Sequence, residues 1–200
     1  MTLPAKDGIP EIACQQILLQ DGSVYSVQWL ELPQRCAGRV TGRYLLTRYL
    51  KLVRDCTLSL VRPVVSPDGI EFRLLESSLA FLRFAPPEFL CGPAGEAVHL
   101  RTVGGLLVRE GEDPGTGKFS FVSEIGEAGV RVTVQLFYSR PLLLGSARPS
   151  WLRRLLFRCT QGLIHRKLTV RFLSNLYREL TGDRGRTRVK QVRVKEGRDI

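Results

Sequence analysis

Residues 138–158 read YSRPLLLGSARPSWLRRLLFR and mark a change from strand to helix. The strand-like part stops at Pro141, because proline has no amide hydrogen to give to a sheet ladder. A link containing glycine and proline follows. Apolar residues then return at helical spacing over residues 150–181, and Gly182 supplies a helix stop. The sequence therefore predicts that the longest helix comes last and directly follows a strand.

The chain before this helix has the pattern of strands joined by turns. Residues 130–140 alternate valines and a leucine with Arg131, Thr133 and Gln135, which is typical of a half-buried strand. Asp21-Gly22 between two apolar runs predicts a hairpin, and Gly104-Gly105 predicts a bulge or bend. Together with 130–140, the predicted strands are residues 12–20, 23–30, 56–65, 70–78, 79–85, 97–109 and 118–125.

Apolar residues at a spacing close to 3.6 predict a short helix near residues 41–54. The fold class expected is α+β, with a curved antiparallel sheet of about seven or eight strands enclosing the long last helix. Residues 1–181 are predicted to form one domain. Residues 182–200 are predicted to form a basic tail, which is either disordered or pairs as a short edge strand around Val192 and Val194.

The predicted last helix carries an apolar stripe on one face. Arg166 projects near the middle of this stripe, where an unpaired guanidinium would be costly to bury. Three alternatives remain open for Arg166: an ion pair with a sheet carboxylate, extension to solvent, or the anchoring of a ligand in a wet cavity. His165 is placed on the flank of the stripe. The stripe consists of Leu152, Leu155, Leu156, Cys159, Leu163, Val170, Leu173, Tyr177 and Leu180, with Gly162 at its edge.

Charge is distributed unevenly along the chain. Residues 1–148 have a formal balance of +1, whereas residues 149–200 hold 14 Lys and Arg against 4 Asp and Glu, a balance of +10. Such an excess favours a partner that carries negative charge, namely a nucleic acid, another phosphate group or an anionic membrane surface. The alternative is a solvated tail without a partner.

Cysteine and histidine give no sign of a metal or catalytic centre. The five cysteines have neither metal-ligand nor CxxC spacing, so free thiols in a reducing cytoplasm are expected. His99 and His165 have no ligand spacing, and a Cys–His dyad could form only through tertiary contact. The sequence has no apolar signal segment and no membrane-spanning run. We therefore expect a cytoplasmic protein with no cofactor, no metal and no catalytic residues, and a binding protein rather than an enzyme.

Two segments carry a resemblance to a known superfamily. Residues 117–141 read GKFSFVSEIGEAGVRVTVQLFYSRP, and residues 151–180 read WLRRLLFRCTQGLIHRKLTVRFLSNLYREL. The shared features are Phe121, Ser139-Arg140-Pro141, Gln161 and Arg171-Phe172-Leu173. In these segments the chain resembles the START-like superfamily, also called polyketide cyclase/dehydrase or helix-grip, and within it looks like a bacterial family of uncharacterised domains.

The resemblance implies a hydrophobic cavity between sheet and helix that binds a lipid-like, apolar or amphipathic small molecule. The expected lining residues are Arg166, Leu163, Gly162, Cys159, Val170 and Tyr177, together with the inner face of strand 130–140. Two alternatives remain. The protein is a basic module that docks through residues 149–200 on an anionic membrane or nucleic acid, or it is an enzyme of the cyclase or hydrolase type.

Overall fold

The computed structural model describes residues 9–19, 23–107, 117–139 and 163–199. Within these ranges the chain is α+β, with eleven strands in one mixed sheet. The helices are α1 (Gly42–Cys56) and α2 (Leu163–Thr181), and a 3₁₀ helix spans Gln34–Arg39. The strands are β1 (Glu11–Leu18), β2 (Val24–Leu32), β3 (Val61–Ser66), β4 (Gly69–Leu74), β5 (Ala80–Phe84), β6 (Glu88–Gly92), β7 (Gly95–Gly104), β8 (Lys118–Gly126), β9 (Gly129–Ser139), β10 (Arg188–Gln191) and β11 (Arg198–Asp199).

The strand order along the sheet is β10-β1-β2-β9-β8-β7-β5-β4-β3, with β6 paired to β7 and β11 to β1. The prediction of seven or eight strands was too low, because β6, which directly follows Pro86 and Pro87, was not predicted, and because both last strands lie in the predicted tail. The sheet is also not purely antiparallel. β10 runs parallel to β1, with Glu11 opposite Arg188 and Cys14 opposite Gln191.

The β1–β2 hairpin is confirmed, with Ile12 opposite Leu30 and Leu18 opposite Val24. Its predicted Asp21-Gly22 turn lies outside the described residues. The glycine pair after β7 also has the predicted backbone distortion. Gly105 has φ +122°, and a Cβ there would lie 2.5 Å from the Phe81 carbonyl oxygen, so only glycine fits. The β5–β7 register shifts beside it, between Arg83 and Phe84.

Helix α1 is longer than predicted and includes Cys56, which was assigned to a strand. It runs to Cys56, and β3 starts only at Val61, so the predicted strand over 56–65 was wrong in its first half. The helix begins where Thr41 accepts a hydrogen bond from the Tyr44 amide at 3.1 Å, which is a standard N-terminal cap. Its buried face, which includes Leu45, Tyr49 and Val53, packs towards the sheet.

The core lies between one face of the sheet and the two helices. The inward residues of β9 are Val130, Val132 and Val134, all completely buried, which confirms the predicted half-buried strand. Helix α2 packs against β1, β2, α1 and the 3₁₀ helix. It ends at Thr181, as predicted, and Gly182 follows at φ +77° with its amide bonded to the Arg178 carbonyl. The predicted first part of this helix lies outside the described residues.

Candidate functional site

The buried face of α2 differs from the predicted stripe. Phe172, Leu173, Leu176 and Leu180 are buried in the core, as is the polar Thr169. On a helical wheel this face is turned by about 80° from the predicted one, at 100° per residue. Leu173 and Leu180 belong to both faces, whereas the apolar pattern missed Phe172 and Leu176. The physical reason is that α2 packs on α1 as well as on the sheet, and Phe172 fills the space beside Tyr49 with ring centroids 5.5 Å apart.

The rotation changes the positions of two polar residues. His165 moves from the flank of the stripe into the buried face, one turn before Thr169, so both side chains point the same way. His165 Nε2 and Thr169 Oγ1 are buried and have no hydrogen-bond partner among the described residues. Unpaired buried polar atoms are uncommon in native proteins, and each needs an explanation. Here two of them lie one helical turn apart.

Aromatic rings lie beside these two side chains. The His165 ring lies 5.8 Å from the Phe119 ring, and Phe119 lies 5.2 Å from the ring of Tyr49. Tyr49 also contacts Phe121, with 5.0 Å between centroids. Three elements therefore build the wall: α1 supplies the tyrosine, β8 supplies the phenylalanines, and α2 supplies the polar atoms. An apolar wall of this kind gives little compensation to an unpaired nitrogen or hydroxyl.

The electrostatics of this region keep it uncharged. Part of the His165 residue reaches solvent, but the ring nitrogen is buried, and burial lowers the pKa of His165 to about 4. The imidazole is therefore neutral at pH 7. Burial raises the pKa of Tyr49 well above its usual range, and the nearby Thr169 hydroxyl offsets this only in part. The Tyr49–Thr169 approach does not meet hydrogen-bond geometry, which leaves Thr169 Oγ1 unpaired.

A third unpaired atom lies on the same face of the sheet. Gln28 in β2 is completely buried, and its amide nitrogen donates to Ser26 Oγ at 2.7 Å. Its Oε1 has no partner among the described residues. Gln28 is opposite Val134, which is opposite Phe121, so it lies two strands, about 10 Å, from the aromatic wall. We call His165, Thr169 and Gln28 the inner polar site.

Of the six predicted lining residues on the helix, the structure describes the side chains of three. Val170 and Tyr177 are partly buried and pack on the edge of the core. Arg166 lies at the edge of the buried face, where its guanidinium lies 2.5 Å from the side-chain amide of Gln191 in β10 and donates to the amide oxygen when that oxygen is turned towards it. Among the described residues this amide, and not a carboxylate, is its partner. Cys159, Gly162 and the Leu163 side chain lie outside what the structure describes.

The inner polar site offers hydrogen-bonding groups that are neutral at pH 7. In the described ranges no three His, Cys, Asp or Glu side chains converge as a metal site, and Cys14, Cys36, Cys56 and Cys91 are free thiols, as predicted. Such a site can bind a hydroxyl, a carbonyl or water, each of which pairs with neutral donors and acceptors.

A depression of the surface lies on the outer side of α2 near its end. Its volume is about 590 Å³, and its lining residues are exposed: Asn175, Arg178, Glu179, Gly182 and Arg184. Glu179 already accepts a hydrogen bond from Tyr44 at 3.1 Å and forms an ion pair with Arg48. This depression contains none of the predicted lining residues and has no buried polar atom, so we do not assign a ligand to it.

The segment expected to be either disordered or a strand forms a strand, but earlier than predicted. Arg188–Gln191 is paired, whereas Val192 and Val194 follow it. Gln15 fixes the next part of the chain, because its Oε1 accepts from the amides of Val194 and Lys195, both at 2.9 Å. That residues 1–181 form one domain stays a prediction. Docking of the basic C-terminal segment on an anionic partner also stays a prediction.

Comparisons with models of protein families, with curated proteins and with solved structures find no match for this chain. The START-like resemblance and the bacterial affinity stay predictions. Neither described helix is long and apolar enough to span a bilayer. The cytoplasmic location also stays a prediction.

Proposed function

We propose that the protein binds an apolar small molecule with a neutral polar group, held between the sheet and the first turns of α2. The observation that carries this proposal is the inner polar site. His165 Nε2, Thr169 Oγ1 and Gln28 Oε1 are buried without partners among the described residues. Each such atom costs about 1–3 kcal/mol when it stays unpaired. A bound molecule that supplies a hydroxyl or carbonyl removes part of that cost.

The charge state of the site selects the class of ligand. His165 is neutral at pH 7, so a carboxylate beside it would be buried without a counterion, which is strongly unfavourable. An acidic ligand group on Arg166 was one of the three alternatives that the sequence left open, but this guanidinium lies against the Gln191 amide. A long-chain alcohol, a sterol-like hydroxyl or a ketone therefore suits the site better than a fatty acid. The aromatic wall of Tyr49 and Phe119 suits the apolar part.

A matched pair of probes tests the proposal. We expect 1-hexadecanol to bind at least about tenfold more tightly than hexadecanoic acid, since a difference of 1.4 kcal/mol is tenfold in affinity. Displacement of a fluorescent apolar probe measures both affinities, and native mass spectrometry shows whether a neutral molecule co-purifies. Tighter binding of the acid, or no binding of either probe, would refute the proposal.

Two threonine variants locate the site. Thr169→Val removes the unpaired hydroxyl with little change of shape, and we expect it to weaken 1-hexadecanol binding by about tenfold. Thr133→Val is the control, because Thr133 is also buried but lies on the opposite face of the sheet from Val132 and Val134. Equal losses of affinity in both variants would mean that the ligand does not contact Thr169.

A further inference from the structure

Five exposed leucines lie together at the end of the strands β3, β4 and β5. They are joined through the backbone: the Leu75 amide donates to the Leu60 carbonyl at 2.8 Å, and the Leu106 amide donates to Ala80, the residue after Leu79, at 3.0 Å. The fifth leucine, Leu58, lies in the loop after α1. We call this group the leucine tip; its members are Leu58, Leu60, Leu75, Leu79 and Leu106.

The shape of the tip suits insertion into a soft phase. The Leu58 side chain is 87% exposed, and the other four leucines are each about half exposed. A side chain that exposed projects from the surface and touches few neighbours. Flat protein interfaces place apolar groups in packed, water-excluding cores, which a projecting leucine does not provide by itself. A projecting apolar group instead gains by entering the acyl boundary of a bilayer.

The tip is a built feature, held in an unfavourable backbone conformation. Leu58, Ser59 and Leu75 have φ values of 50°, 63° and 51°, a region that residues other than glycine, asparagine and aspartate rarely occupy. Thr57 fixes the loop, because its hydroxyl donates to the Val53 carbonyl at 2.8 Å and accepts from the Val61 amide at 3.1 Å. The positive φ values of Leu58 and Ser59 belong to the turn that ends α1, in which the Ser59 amide donates to the Arg54 carbonyl at 2.8 Å, and this turn leaves the Leu58 side chain exposed.

The backbone amides of the leucine tip already have hydrogen-bond partners, which a region poor in water requires. The amides of Leu58, Leu60, Leu75 and Leu106 donate to carbonyl oxygens within the chain at 2.8–3.2 Å, and the Leu79 amide donates to Ser77 Oγ at 3.3 Å. An amide that enters a bilayer without a partner costs several kcal/mol. Because these donors are already satisfied, insertion of the tip carries little of that penalty.

Charge beside the tip favours an anionic bilayer. Lys51 and Arg54 are exposed on the last turns of α1. Two carboxylates nearby are already neutralised: Glu76 pairs with Arg62 at 2.5 Å, and Glu71 pairs with Arg73 at 2.6 Å. Among the described residues around the tip, the cations Lys51, Arg54, Arg62, Arg73 and Arg83 outnumber the anions Asp55, Glu71 and Glu76. Each basic residue near an anionic membrane surface contributes about 1 kcal/mol of attraction.

We propose that the leucine tip inserts into the interfacial layer of an anionic phospholipid bilayer. The partner is the lipid surface itself, and the leucines provide the apolar contact while the flanking cations face the headgroups. This inference does not depend on ligand binding at the inner polar site. It also differs from docking through the basic C-terminal segment, because the tip lies in the loops that join α1 to β3 and β4 to β5 and in the residues that follow β7.

Flotation with vesicles tests the proposal. The full chain is mixed with vesicles of phosphatidylcholine alone or with 30% phosphatidylserine, at low and high salt. The test variant combines Leu58→Asn and Leu79→Asn; asparagine tolerates the positive φ of residue 58, so folding is preserved. The control variant is Leu90→Asn, because Leu90 is 56% exposed on β6, away from the tip. Thermal melting confirms that all three proteins are folded.

We expect the wild-type protein and Leu90→Asn to float with the phosphatidylserine vesicles, and the double variant to lose at least about tenfold in partition coefficient. Part of the binding should survive high salt, because the leucine contribution is not electrostatic. Absence of wild-type binding, or equal binding of the double variant, would overturn the proposal. So would a leucine-dependent dimer in gel filtration that does not bind vesicles, since the tip would then pair with a second copy.

Discussion

The two halves of α2 lie against the same interior, yet their surroundings differ. From Phe172 to Leu180 the buried side chains are apolar and join the main core. From His165 to Thr169 the buried atoms include a nitrogen and a hydroxyl with no partner among the described residues. The apolar packing from Phe172 to Leu180 is what stability alone requires. The unpaired polar atoms from His165 to Thr169 lower the stability, and such a cost is typical of a site kept for binding. Four predictions test or sharpen this contrast.

The largest effect is expected in the apolar half. Phe172 is almost completely buried and its ring contacts those of Tyr49 and Phe121. Phe172→Ala should lower the free energy of unfolding by about 3–5 kcal/mol, because it leaves a large cavity in a packed core. Urea denaturation measures the change. A loss below about 1 kcal/mol would mean that this half of α2 is not tightly packed.

The second effect is a pH dependence that comes from His165. Its pKa falls from 6.5 when unfolded to about 4 when folded, so the unfolded state binds more protons between these values. The folded state is then favoured above pH 6.5, and this contribution is lost as the pH falls towards 4, by roughly 1 kcal/mol per pH unit. Urea denaturation at pH 7.0, 5.5 and 4.5 measures it. His165→Phe should have a smaller slope over this range, and an unchanged slope would assign it to other groups.

A third, smaller effect has the opposite sign. Thr169→Val replaces an unpaired buried hydroxyl with a methyl group, so we expect the protein without ligand to gain about 1 kcal/mol in stability. Thr133→Val should show no such gain. Differential scanning calorimetry of delipidated protein measures both. Destabilisation by Thr169→Val would show that the hydroxyl has a partner in solution and that the polar half of α2 is as well satisfied as the apolar half.

The smallest effect concerns Arg166. Removing a guanidinium that neutralises a buried carboxylate would cost about 3–5 kcal/mol, but its contact is with the neutral amide of Gln191. Arg166→Met keeps most of the stem, and Gln191 is exposed, so we expect a loss of only about 0.5 kcal/mol and no change in the affinity for 1-hexadecanol. A matching loss in Gln191→Ala would support the contact. A large loss in Arg166→Met alone would point to a carboxylate partner.

The local elements of the fold were predictable where the sequence pattern was strong. The β1–β2 hairpin, the alternation in β9 and the end of α2 at Gly182 follow from turn residues and periodicity. The predicted helix at α1 was placed correctly, but it ended at residue 54 instead of Cys56, because Cys56 and the residues after it have strand-like composition. Strand β6 was missed because all five of its residues are exposed, so burial left no pattern in the sequence.

The candidate site was less predictable, for a physical reason. The buried face of a helix depends on what packs against it. Phe172 is buried because it packs on Tyr49 of α1. The apolar pattern alone favoured a face with Arg166 near its centre and left His165 on the flank. A wheel that counted Phe172 and Leu176 would have placed His165 and Thr169 inside. The lack of partners for their polar atoms is a tertiary property that no local pattern contains.

The place of β1 in the sheet bears on how the chain is made. β1 is bonded to β10 and β11, and its hairpin partner β2 is bonded to β9. Strands from the first part of the chain therefore lie between strands from the last part. The ribosome exposes β1 and β2 long before β9 and β10 exist, so these early strands have unpaired edges during synthesis. The β1 edge is covered only after about residue 191 has emerged, when β10 pairs with it. The topology therefore predicts late completion of the sheet and a need to protect the early strands during synthesis.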